Sequence, residues 1–257
     1  MISREWENLL QRAAKYLPIY LSRTDHLPHE RKGIRRSEMF FLYAAVADLG
    51  PSRIVESGRA RAQSTLELSL LFPEAAIISI ESDPNSPDVA VAAERLRERR
   101  NVDCRFGDAR RVLPDLVQAG DVVLIDGPKD FRALKLALQL LNANKPAAVF
   151  VHDLWPRSPA RSFVDHRLRS ALLSDEPEWV RRYAYLDGKD QGARAILPNE
   201  RRAYGATFAC FFAGAENYAR CLWECRLAQG IERARATQRK VRSRASPQRP
   251  QDFDLIA

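Results

Sequence analysis

The chain has 257 residues, of which 46% are hydrophobic and 29% charged, with a formal net charge of +8. That length admits one large α/β domain or two small ones, and the apolar fraction supports a sizeable core. No apolar run approaches the ~20 residues of a membrane-spanning helix, and Met1-Ile-Ser-Arg-Glu-Trp-Glu7 lacks the apolar core of a signal peptide, so a cytoplasmic chain is expected.

Residues 2–17 have Trp6, Leu9, Leu10, Ala13 and Leu17 at helical spacing and predict an amphipathic helix. A polar stretch from Ser22 to Arg36, with His26, Pro28, His29 and Gly33, predicts a loop. Residues 1–36 thus form an N-terminal helix-and-loop extension. A second helix is expected from Ser37 through Leu49, closed by Gly50-Pro51. Five strands then alternate with helices. The strands are predicted at 53–57, 76–81, 102–106, 121–126 and 146–152, and the helices at 63–71, 87–100, 109–118, 130–142 and 158–173. This alternation predicts a doubly wound α/β fold, a mostly parallel sheet with helices on both faces. Near-continuous apolar strands such as 122–125 fit burial on both sides.

After residue 175 the pattern changes. Residues 178–186 and 206–212 both predict strands with no helix between them, which implies an antiparallel pair closing one sheet edge. A last helix is expected over about 215–229, ending the main domain at 37–230. Residues 231–257 hold seven Arg or Lys against three acids, half of the whole net charge. With few apolar residues, this basic tail is expected to lack order and to be able to contact nucleic acid or anionic lipid electrostatically. Cys104, Cys210, Cys221 and Cys225 form no CxxC pair and are expected to be reduced structural thiols.

Ligands of doubly wound sheets bind beyond the carboxyl ends of the strands, and here each of the five ends carries an acid. The ends read Glu56-Ser57-Gly58, Glu81-Ser82-Asp83, Gly107-Asp108-Ala109, Asp126-Gly127-Pro128-Lys129 and His152-Asp153. Glu81, 23 residues after Gly58, suits the two hydroxyls of a ribose. Asp108 suits an adenine amino group, or equally the cap of the following helix. Arg59 and Arg61 suit either a ligand anion or solvent. His152 is a candidate base or a satisfied structural residue. The G-x-G-x-x-G spacing of a nicotinamide site is absent.

Taken together, Ile54-Val-Glu-Ser-Gly-Arg-Ala-Arg-Ala-Gln-Ser-Thr65, Ile80-Glu-Ser-Asp83, Gly107-Asp-Ala109, Val122-Val-Leu-Ile-Asp-Gly-Pro-Lys129 and Val151-His-Asp-Leu154 resemble the class I S-adenosylmethionine-dependent methyltransferases over about residues 37–212. The resemblance implies that the first loop (Glu56, Ser57, Gly58, Ala60, Ser64) holds the methionine end of the cofactor. Glu81 would hold the ribose, with Asp108 and Asp126 nearby. Asp126-Gly-Pro-Lys-Asp-Phe131 resembles the catechol-type O-methyltransferases, which implies Asp126 as a divalent-metal ligand such as for Mg²⁺, Lys129 as general base and Asp153 as second ligand. Leu154 stands where that pattern has Asn, and Ala60 and Ala62 where it has glycine. The implied function is O-methylation of a small hydroxylated acceptor, with Lys129, His152 or an Asp126-held metal taking the proton. Two alternatives remain open at this level. One is a non-catalytic binding module, motivated by Ala60, Ala62 and Leu154. The other is a nucleic-acid methyltransferase using the basic tail. Acceptor contacts are expected from the N-terminal helix, the 22–36 loop, Trp155-Pro156-Arg157 and the 187–205 loop.

Overall fold

The structure, a computed structural model, describes residues 4–28, 33–188 and 208–245. Its centre is a seven-stranded sheet in the order β3-β2-β1-β4-β5-β7-β6. The strands are β1 (Arg53–Ser57), β2 (Ala76–Glu81), β3 (Val102–Phe106), β4 (Val122–Ile125), β5 (Ala148–Val151), β6 (Leu172–Leu173) and β7 (Ala209–Phe212). The first five are parallel, and β7 runs antiparallel to both β5 and β6. The chain builds outward from β1 to β3, returns to β4 beside β1, and builds outward again. The order therefore reverses between β1 and β4, the place where such sheets open a cleft at the strands' carboxyl ends. This is the doubly wound fold that the sequence predicts, closed by an antiparallel strand.

Alternation along the strands explains the two cores. Ile54, Val122, Leu124 and Phe150 face one side; Val55, Val123, Ile125, Val149 and Val151 face the other. The first side is covered by α1 (Arg4–Thr24), α2 (Arg36–Val46) and α3 (Gln63–Leu71), the second by α5 (Ala109–Leu116), α6 (Phe131–Ala143), α7 (Pro159–Arg167) and α9 (Tyr218–Ala245), with α4 (Asp88–Leu96) over the β3 end. Every residue of α2 is buried, because it lies between α1 and the sheet.

Several elements differ from expectation, each for a packing reason. The first helix continues past Pro18 to Thr24, because Tyr20 is fully buried and donates to the Arg36 carbonyl (2.9 Å). Residues 178–186 are not a strand. They form α8 (Pro177–Tyr183) and a 3-10 turn over Ala184–Asp187. Pro177 opens the helix, and Trp179 and Tyr183, four apart, pack on Phe40 with ring centroids 5.4 and 5.0 Å away. The strand beside β7 is instead Leu172–Leu173, within the span expected to be helical to 173; α7 stops at Arg167. The last helix does not end at 229, and the expected unordered tail is helical from 231 as far as Ala245. Most of residues 231–245 are Ala, Arg, Gln, Glu and Lys, good helix formers, and the helix packs against α6. Residues 246–257, His29, most of the 187–205 loop and the start of the 206–212 segment lie outside the described residues. Among the described residues no helix is long and apolar enough to cross a membrane, and all four cysteines are free thiols.

Candidate active site

The cleft begins at Gly58. Its φ is +92°, and a Cβ there would come within 3.0 Å of the Asp126 carbonyl carbon and of the Gly127 nitrogen. Only glycine lets the β1 loop pass this close to the β4 loop. Beside it, the Ser57 hydroxyl donates to the Gly127 carbonyl (2.7 Å) and ties the two loops together. Ala60 (φ +43°) and Ala62 (φ +61°) keep the left-handed backbone that glycine would take easily. Each such alanine costs about 1 kcal/mol. The Ala60 N–H donates to Glu81 Oε2 (2.9 Å), and the Ala62 methyl is buried with Ala92 and Leu96, which offsets that cost.

One of the acids picked out as cofactor contacts, Glu56, is turned inward, whereas Glu81 is only half-buried and tied to its own loop. Glu56 is fully buried: Ser64 Oγ (2.5 Å), Ser79 Oγ (2.6 Å) and Thr65 Oγ1 all donate to its carboxylate. Burial pushes its carboxyl pKa up, and the three hydroxyls recover only part of that shift. Glu56 and Ser64 therefore join the first turn of α3 to β1 and β2 and do not line the cleft. Glu81 accepts the N–H groups of Ala60, Ser82 (2.7 Å) and Asp83 (3.2 Å). Burial opposes ionisation of Glu81, but these backbone donors outweigh it and hold its pKa below the ordinary value. Arg59 is buried rather than solvated. Its guanidinium donates to the Ser79 (2.7 Å) and Arg105 (3.2 Å) carbonyls and lies over Phe106.

At the ends of β4 and β5 four expected residues converge, and a fifth joins them. Asp126 Oδ1 is 2.5 Å from both Lys129 Nζ and His152 Nδ1, and Lys129 Nζ is 2.6 Å from Asp153 Oδ2. On the far side of the imidazole, Nε2 lies 3.4 Å from Oε2 of Glu38 in α2. Glu38 is buried at 3% exposure. It was read only as part of the opening of a helix, so nothing in the sequence marked it as a site residue. Burial works against the charge on His152, but Glu38 and Asp126 raise its pKa to about 10. Burial likewise lowers and the two aspartates raise the Lys129 pKa, leaving it above the usual lysine value. Asp126 is pushed up by burial and pulled down further by His152 and Lys129. Both candidate bases are therefore protonated at neutral pH in this arrangement.

Between these groups and the β3 loop lies a cavity of about 360 Å³, within the range of small-molecule sites. Ser57, Gly58, Ser82, Asp108, Arg110 and the Gly127–Lys129 segment line it, with Arg132 at the start of α6. Asp108 caps α5, accepting from the Arg110 N–H (3.0 Å), and pairs with the Arg110 guanidinium at 2.6 Å. That pairing lowers its pKa to about 2. Both roles read for Asp108 are compatible with this place, since it caps the helix and also faces the cavity. Trp155 is exposed, and neither it nor Arg157 lines the cavity.

No protein-family model matches the chain, and no curated protein does. Solved structures resemble it as follows. The S-adenosylhomocysteine-bound methyltransferase PaMTH1 of Podospora anserina is 16% identical over 82% of this chain and 88% of that one, with a TM-score of 0.45. The O-methyltransferase TomG of Streptomyces achromogenes, involved in tomaymycin synthesis and solved with S-adenosylmethionine, is 17% identical over 83% and 92%, TM-score 0.45. An S-adenosylhomocysteine complex of the O-methyltransferase from Bacillus cereus is 15% identical over 78% and 89%, TM-score 0.44.

The donor set suits an adenosyl ligand better than a hard metal ion. The cavity is lined by a close-approach glycine, the Gly127–Lys129 segment and an acid, Asp108. A Mg²⁺ ion prefers near-octahedral oxygen coordination, whereas this cluster offers two carboxylates and an imidazole. Leu154 follows them fully buried and without a donor.

Proposed function

We propose that the chain is an S-adenosylmethionine-dependent methyltransferase that methylates an oxygen of a small hydroxylated acceptor. The observation that carries this is the 360 Å³ cavity at the β1–β4 reversal, with Lys129 in its wall beside Asp126, His152 and Asp153. In this reading Ser57, Gly58 and the 127–129 backbone hold the cofactor at one end of the cavity and Asp108 receives its adenine. Ala60, Glu81 and Asp126 are not among the cavity's lining residues, although Glu81 lies between Ile80 and Ser82 and Asp126 precedes Gly127, and those three neighbours line it. Glu56 and Ser64 act from behind, by fixing the loop. The cofactor would supply an electrophilic methyl group on a sulfonium. The chain's part is to align the acceptor oxygen with it and, through the Lys129 ammonium, to lower the pKa of the acceptor hydroxyl, so that its proton leaves to solvent and the oxygen reacts as an anion whose charge the incoming methyl group neutralises. His152, gripped by Glu38 and Asp126, orients Asp126 and through it Lys129.

The test is calorimetric titration with S-adenosylhomocysteine. Saturable binding that is lost in Gly58→Val supports the reading; no binding at millimolar concentration would overturn it. The inward-turned Glu56 favours a second reading, a binding module without chemistry. It predicts cofactor or acceptor binding with no labelled-methyl transfer to any phenol or catechol in a panel. A further proposal concerns partners. Arg233 and Arg235 are exposed on the C-terminal half of α9. Contact of this helix and the residues after it with a polyanion such as nucleic acid should weaken steeply with added salt, and removing residues 231–257 should abolish it.

A further inference from the structure

Lys129 lies where a metal ion would have to lie. Its Nζ is 2.5 Å from Asp126 Oδ1 and 2.6 Å from Asp153 Oδ2, so the ammonium bridges the two carboxylates. His152 Nδ1 closes the third side, 2.5 Å from the same Asp126 oxygen and 3.7 Å from Asp153 Oδ1. One ligand atom from each of Asp126, His152 and Asp153 lies within 4.8 Å of the other two, a spacing that a single cation can span. A divalent ion entering this cluster would have to separate Lys129 from both partners. It would then share the site with a displaced ammonium on a short tether. A +1 and a +2 charge about 4 Å apart weaken ion binding roughly thirtyfold even in a water-like medium.

We propose that the Lys129 ammonium is a built-in substitute for a divalent cation. It holds Asp126 and Asp153 together, keeps metal out of the cluster, and presents to the acceptor oxygen the positive charge that a metal would present. The exclusion of metal stands on the geometry of the cluster. Only the naming of an acceptor oxygen rests on the methyltransferase reading.

The test uses the full chain and Mn²⁺, with free ion followed by electron paramagnetic resonance. Wild type and Lys129→Arg should take up Mn²⁺ only weakly. Lys129→Gln, which removes the charge and is one atom shorter, should bind it at least about tenfold more tightly. Asp153→Asn added to Lys129→Gln should erase that gain. Lys129→Met serves as the second uncharged variant, and near-ultraviolet circular dichroism identifies the samples that are folded. Wild-type binding as tight as that of Lys129→Gln would overturn the proposal, as would a folded Lys129→Gln or Lys129→Met that gains nothing. Titration of the same wild-type sample with S-adenosylhomocysteine reports separately on the cofactor reading, so the two failures are distinguishable.

Discussion

Replacing Glu56 separates a structural role from a ligand-binding one. Its carboxylate is wholly buried and accepts from Ser64, Thr65 and Ser79. Glu56→Ala leaves three buried hydroxyls without their acceptor and opens a void at the base of the loop. Each lost bond to a charged acceptor is worth about 1.5–3 kcal/mol. Part of that returns because a buried charge is no longer desolvated. The net expectation is a loss of about 3–5 kcal/mol of unfolding free energy. Glu56→Gln approximates the protonated carboxyl that burial favours, and the hydroxyls can rotate to meet its oxygen and its NH₂. Its loss should be about 1–2 kcal/mol. Urea denaturation followed by far-ultraviolet circular dichroism measures both. Calorimetry with S-adenosylhomocysteine on folded Glu56→Gln should then show affinity within a few-fold of wild type. If Glu56→Ala is as stable as wild type, or if Glu56→Gln keeps its stability and loses all cofactor affinity, the inward assignment of Glu56 is wrong.

The His152 pKa, raised from 6.5 to about 10, links stability to alkaline pH. Its contribution is complete below about pH 6.5 and is lost as pH climbs toward 10; thermal melts across that window should fall steadily in wild type and stay flatter in His152→Gln. Glu38→Gln removes one of the two charges that raise the pKa, so the fall should still begin near pH 6.5 but be smaller and end at lower pH. Gly58→Ala places a methyl 3.0 Å from the β4 loop at a φ of +92°. It should lower stability by about 1–3 kcal/mol and weaken cofactor binding, both read by denaturation and calorimetry; a wild-type profile would count against the close approach. Ala62→Gly relaxes a φ of +61° and should change stability by no more than about 1 kcal/mol, since relief of backbone strain is opposed by the added freedom of the unfolded chain. A large loss on denaturation would show that its buried methyl outweighs the strain.

Four of the five parallel strands were legible as short apolar runs bounded by turn residues, since burial on both faces leaves little else for such a run to be; β3, an exposed edge strand with Asp103 and Arg105, is the exception. The cleft followed from them, since Asp108, Asp126 and Asp153 come directly after strands. Glu56 was legible as important but not in its direction. Whether an acid faces a cavity or three hydroxyls depends on Ser64, Thr65 and Ser79 meeting in space, and Ser79 lies on another strand. Glu38 was invisible for the same reason, coming to His152 from more than a hundred residues away. Arg59 was read by its charge, whereas two strand carbonyls and a phenyl ring determine where it lies. The strand expected over 178–186 failed because Trp179 and Tyr183 suit a sheet by propensity and a helix by spacing. Only the Phe40 ring decides between them.

The place of β7 bears on how the chain is made. It is the last strand in sequence but sits inside the sheet, between β5 and β6. Until residues 209–212 emerge from the ribosome, β5 has an open edge on one side and β6 has no partner at all. All four residues of β5 are apolar and fully buried in the finished protein. A nascent chain stalled before β7 therefore displays a bare apolar strand edge, the kind of surface that templates aggregation. Closure must await a pairing more than fifty residues distant, which folds slowly compared with local contacts. Synthesis arrested between β6 and β7 should thus yield chains held by chaperones, and synthesis carried far enough for residue 212 to clear the ribosome should release them.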